Sequence, residues 1–195
     1  MPALVSLGLR VASCQPMNRH TLHKIKRAPG PQDINRYGGR PIGIPTSGWP
    51  TIYNPETEAE QNMLHVLTLD TRDLGITRWD GALAVFASST EMPLYFDDPT
   101  CDFEVVQISR AALAGGVHRA PSLPERPLKA GVLEVRPASS VSGMTFVGGR
   151  PRYIQSDDSG DDDFVLQLGD GFLPLNLGDS GALYVFESWA MWESC

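Results

Sequence analysis

The sequence predicts an α+β fold, mostly antiparallel β, built as an internal duplication of two unequal repeats. Three observations carry that expectation. Short blocks recur in order: Gly38-Gly39-Arg40-Pro41 returns as Gly148-Gly149-Arg150-Pro151, and Gly81-Ala82-Leu83-Ala84-Val85-Phe86 as Gly181-Ala182-Leu183-Tyr184-Val185-Phe186. Apolar runs of strand length, bounded by Gly, Pro, Asp and Asn, recur along the chain and mark antiparallel strands. Helical period is weak almost everywhere, and good helix formers cluster only from Glu56 to Gln61. The first pair of blocks is displaced by 110 residues and the second by 100, so order is kept while the stretch between differs by ten. A repeated unit that cannot bury its apolar face alone packs against its copy.

In chain order, residues 1–35 are a lead-in. Its basic run Arg19-His20-Thr21-Leu22-His23-Lys24-Ile25-Lys26-Arg27 makes one or two amphipathic turns and is closed by Pro29-Gly30. A domain over residues 36–195 follows, with a first repeat over about 36–120 and a second over about 130–195. From Tyr37 to Pro50 glycine and proline exclude helix and leave turns and extended pieces. Glu56–Gln61 is expected as a short helix. Strands are expected at Met63–Leu69, Gly81–Phe86, Phe103–Ile108, Gly131–Val135, Phe164–Leu168 and Ala182–Phe186, with the proline-rich loop Pro121–Pro127 near the boundary between units. The apolar tail with Trp189, Met191 and Trp192 is expected to pack onto the body.

The chain has 195 residues and a net charge of −7. That length buries a proper core, and that charge disfavours a nucleic-acid partner while suiting a protein with a basic surface. Cys14, Cys101 and Cys195 are far apart and lack CxxC spacing, so neither a disulfide framework nor a zinc site is indicated; free thiols fit a reducing cytoplasm. No apolar run approaches the roughly 18 residues of a membrane span. Val11-Ala12-Ser13-Cys14 resembles a lipid-attachment box, but Arg10 interrupts a short apolar run with no basic region before it, which argues against export and lipidation of Cys14.

The paired marks resemble the YwqG-like bacterial family, whose domain has no assigned function. The likeness rests on Gly38–Pro41, Trp49-Pro50, Leu67-Thr68-Leu69-Asp70 and Gly81–Phe86. In the second half it rests on Val147–Gln155, Leu166-Gln167-Leu168, Gly178-Asp179-Ser180-Gly181, Leu183–Phe186 and the closing Trp192-Glu193-Ser194-Cys195. Thr68 departs from the family, which often has Gln there. The resemblance implies an α+β fold with an internal two-fold, no established reaction, and an immunity or binding role next to toxin genes. This warrant is kinship alone.

Four groups of residues invite chemistry. Gly178-Asp179-Ser180-Gly181 has the form of a serine-protease nucleophile, but no histidine lies in a matching setting and too little chain follows to complete that fold. A tight turn, with Asp179 accepting backbone N–H groups and launching a strand, explains it better, and Trp79-Asp80-Gly81 repeats it. The acidic loop of Asp157, Asp158, Asp161, Asp162 and Asp163 fails calcium-loop register, because the obligatory glycine falls on Asp162 and the bidentate glutamate on Leu168. Such a charge block reads as a solvated loop between two strands, and its functional alternative is an acidic patch that meets a basic partner. His20-x-x-His23 sits among four cations, a poor metal site. Gln155 and Gln167 interrupt apolar stretches and either pair with strand edges or line a cleft with Trp49 and Tyr153. Together these residues point to a non-catalytic binding protein without cofactor or metal, and the resemblance implies an immunity type. The alternative is a hydrolase or small-ligand pocket at the repeat interface, using Ser180 or Asp179 with the two glutamines.

Overall fold

A computed structural model describes residues 22–28, 34–91, 94, 101–155 and 163–195. Twelve strands dominate the described residues: β1 (His23–Ala28), β2 (Arg36–Tyr37), β3 (Thr51–Asn54), β4 (Ala59–Asn62), β5 (Leu64–Asp70), β6 (Gly81–Ala87), β7 (Phe103–Ser109), β8 (Gly131–Pro137), β9 (Phe146–Val147), β10 (Phe164–Gly169), β11 (Ala182–Phe186) and β12 (Ala190–Glu193). The one α-helix among the described residues, α1 (Arg110–Leu113), is a single turn started by Ser109, whose hydroxyl accepts the Ala112 N–H. Strand makes up 41% of the described residues and helix 5%. The α+β expectation is therefore corrected to an all-antiparallel β fold. None of the described helices is long and apolar enough to cross a membrane.

Ten strands form one sheet in the order β12-β11-β10-β9-β1-β8-β2-β5-β6-β7, and its two ends, β12 and β7, lie against each other in a nearly closed barrel. The order reads alike from either end. Each half supplies a six- or seven-residue strand (β1 or β8), a two-residue strand (β2 or β9) and three strands in meander order. The first strand of each half pairs with the short strand of the other, β1 with β9 and β8 with β2, and β1 and β8 pair at the centre. The lead-in at 1–35 thus contributes a central strand, β1, where its basic run was expected to make helical turns. His23 and Ile25 point inward and Lys24 and Lys26 outward, an alternation of period two.

The halves match in detail. In β5 the register slips between His65 and Leu67, and in β10 between Phe164 and Leu166, leaving Val66 and Val165 as bulged residues. The carbonyls of both accept N–H groups from the glycine turns, Gly38 to Val66 and Gly148 to Val165, each at 2.8 Å. Gly81 starts β6 and Gly181 immediately precedes β11, and at each a Cβ would lie 2.0 Å from a carbonyl oxygen, that of Ile108 and that of Leu177. At those two corners the backbones approach too closely for any side chain.

Every residue of β5, β6, β10 and β11 is buried. Strands covered on both faces read as continuous apolar runs. The inward face builds the barrel core from Leu67, Leu69, Leu83, Val85, Leu133, Leu166, Leu168, Leu183, Val185 and their neighbours. Outside the barrel, Phe86, Ala82 and Ala84 meet Ile44, Trp49, Met63, Ile108 and Leu113, while Phe146, Phe164, Tyr184 and Phe186 form a separate outer cluster in the second half. In that second cluster Trp189 stacks on Phe186 at 4.0 Å, so the apolar tail lies against the body.

Candidate protein-binding face

The outer layer of the first half is tied to the sheet by His65. Its Nδ1 lies 2.9 Å from the Gly38 carbonyl and its Nε2 lies 2.8 Å from the Thr68 hydroxyl. A carbonyl only accepts, so Nδ1 carries the proton and Nε2 accepts from Thr68. Burial in this site lowers the His65 pKa from 6.5 to about 4, with the Arg36 charge adding to the effect. In the second half Gln167 stands in the place of Thr68. Its amide accepts the Arg152 N–H at 2.8 Å and donates to the Arg152 carbonyl at 3.2 Å, which fastens the outer segment as a strand partner would.

The expected site residues do not all converge: Trp49 lies in the first half, whereas Gln167 bonds the backbone next to Tyr153, and Gln155 and Asp179 both meet the pair Ser194-Cys195. Trp49 belongs to the first outer cluster, edge-on to Phe86 with ring centroids 5.4 Å apart, and its indole N–H donates to the Met63 carbonyl. Tyr153 packs on Tyr184 in the second cluster at 5.1 Å. The exposed Gln155 donates to the Ser194 carbonyl at 2.8 Å. Asp179 and Ser180 are exposed at the middle of a turn that the Gly181 N–H closes onto the Gly178 carbonyl. Gly178 and Ser180 take the positive φ there, and Asn176, not Asp179, accepts the Gly178 N–H with its side chain. Asp80, at the matching corner, is instead held by Arg110 and Arg72, so the two aspartates do different work.

Ser180 makes no hydrogen bond among the described residues, and both ring nitrogens of His65 are taken. The remaining shifted groups are tied into the frame. Arg110 grips Asp70 through two bonds of 2.7 Å and reaches Asp80 at 2.8 Å, which holds both carboxyls below their usual range. Arg78 bridges Asp163 and Glu187 across the seam between the barrel ends. Burial, with Glu193 beside it, pushes the Tyr184 hydroxyl up. Asp163 is thus a structural ion-pair partner, while Asp157, Asp158, Asp161, Asp162, His20 and Cys14 lie outside the described residues.

What the structure brings forward is the β3–β4 hairpin. The expected helix at Glu56–Gln61 is its turn and second strand. Asn54 folds it, its side-chain oxygen accepting the Glu56 and Thr57 N–H groups while its amide donates to Gln61, and Glu58 takes φ of 52°. Ile52 and Gln61, opposite each other, face the body: Ile52 packs on the first outer cluster and Gln61 donates to the Ser88 carbonyl. Tyr53 and Glu60, the next pair, face outward with Tyr53 46% exposed. Glu56 and Glu58 are exposed at the tip, and residues 51–62 contain no Lys, Arg or His. The extra length of the first half falls here, and the hairpin has no counterpart among the described residues of the second.

An open cleft of about 250 Å³ sits in the same layer, lined by Gly43, Ile44, Pro45, Val106, Ile108 and Ala112 among others. Gly43 and Ala84 occupy the places that Tyr153 and Tyr184 hold in the other half, as the paired blocks align them. The second half therefore has two rings where the first has none. Two of the signals were present in the sequence: the ten-residue length difference marks the hairpin, and the Ala84/Tyr184 exchange marks the lost ring. Against this geometry, no family model matches the chain and no curated protein matches it.

Proposed function

We propose that this chain is a non-catalytic protein-binding protein whose acidic outer layer meets a basic partner, in the manner of an immunity protein. The observation that carries this reading is the hairpin Thr51–Asn62. It is anchored by its inward face, displays Tyr53 beside Glu56, Glu58 and Glu60, and is an element that the duplicated frame does not need. Tyrosine is enriched at protein contacts, and uniform charge steers a complementary partner. The resemblance of the glycine and Trp-Pro marks to the YwqG-like family supports the same reading by kinship. The acidic residues Asp157, Asp158, Asp161 and Asp162, outside the described residues, add to the net negative charge of the chain.

The test is affinity capture from native lysate with the wild type and with E56K/E58K/E60K. The wild type retains a basic protein in stoichiometric amount and the variant loses it. Capture of nothing stoichiometric by the wild type contradicts the proposal. So does fluorophosphonate labelling that disappears in Ser180→Ala, which would restore the hydrolase.

A further inference from the structure

The cleft in the first half lies beside an open strand edge. β7 pairs with β6 along its whole length, and on its other side the backbone of Phe103–Ser109 has no partner among the described residues. β12, only four residues long, lies against β7 without a ladder. The turn before it meets Gln107, whose amide donates to the Glu187 carbonyl at 3.1 Å. All neighbours in the sheet are antiparallel, so β12 runs from that turn toward the Phe103 end, and the stretch from Gln107 to Ser109 extends past it. Unpaired backbone groups on an edge are a template for another strand.

We propose that the β7 edge and this cleft together take an extended segment of a partner protein, which adds as a strand along Gln107–Ser109 and places one aromatic side chain in the cleft. The main chain supplies affinity and the cleft selects the side chain, the division of labour in strand addition. The aromatic assignment follows from the duplicated frame: the second half fills its outer layer with the rings of Tyr153 and Tyr184, whereas Gly43 and Ala84 supply none. Gly43 cannot supply one, because a Cβ there would lie 2.8 Å from Ile108 Cγ2 and its φ is 77°. At about 250 Å³ the cleft is smaller than the 300 Å³ or more typical of small-molecule sites and suits a single side chain. Val117, 46% exposed and bridged to Ile42 next to Gly43, extends the apolar surface. This goes beyond the proposed function by adding a second contact face, and the charge-reversed hairpin leaves it untouched.

The probe is a labelled heptapeptide alternating threonine and valine around a central tyrosine, titrated into the full chain by fluorescence anisotropy and by amide NMR shifts. Saturable shifts are expected at Gly43–Gly48 and Val106–Ser109. Replacing the central tyrosine by glycine weakens binding by about tenfold or more, and N-methylating alternate amides abolishes it on the peptide edge that faces β7 and leaves it intact on the other edge. Ala112→Trp, which fills the cleft, blocks binding. Shifts confined to other residues, equal binding by the glycine peptide or by both N-methylated peptides, or no saturation at millimolar peptide would each overturn the proposal. The peptide arms use the wild-type chain, so they decide the matter even where Ala112→Trp fails to fold.

Discussion

His65 shows how a single side chain couples the outer layer to the barrel. Its folded pKa of about 4 lies below the ordinary 6.5, so its contribution to stability is present above pH 6.5 and is lost as pH falls toward 4. The loss attributable to this residue is on the order of 3 kcal/mol at full protonation. Urea titrations at pH 7 and pH 4.5 are expected to show a steeper drop for the wild type than for His65→Gln, and parallel drops would contradict the assignment. The corner glycines act by absence of volume. Gly81→Ala and Gly181→Ala each force a methyl group to 2.0 Å from a backbone oxygen, so both are expected to lower stability by about 3 kcal/mol or more. A thermal melt within a degree or two of wild type for either would show that the strands can move apart there.

At the scale of elements, the hairpin and the ion-paired corner separate function from support. Reversing Glu56, Glu58 and Glu60, all exposed, is expected to shift stability by only about 0.5 kcal/mol while abolishing partner capture. Arg110→Ala leaves the part-buried Asp70 carboxylate without its guanidinium, while Asp80 keeps that of Arg72, and is expected to cost about 2 kcal/mol, read as a lower urea midpoint. The same elements show what the sequence could and could not tell. Gly81–Phe86 and Gly181–Phe186 were legible because β6 and β11 are covered on both faces and so carry unbroken apolar runs. Glu56–Gln61 was misread because helix propensity there is overridden by Pro55 and the Asn54 turn. Ser109–Leu113 has too few residues to show a helical period. The site residues fared similarly: Gln167 as a buried, paired amide was legible from its setting, whereas the cleft arises from Gly43 meeting β7 and α1, a contact that no local pattern reveals.

The whole molecule depends on an exchange. β1 reaches the centre of the sheet through β8, more than 100 residues away in sequence, and no local signal in a run of lysines and arginines announces that. Each half lends its first strand to the other, so the two share one core, and the pseudo-equivalence that exposes the cleft and the hairpin follows from it. Native-state hydrogen exchange in low urea tests this most directly. The slowest amides of β5–β6 and of β10–β11 are expected to open with the same free energy and the same urea dependence, as parts of one unfolding unit. Two sets of amides that differ by about 2 kcal/mol or more, with distinct urea slopes, would contradict the interlocked barrel.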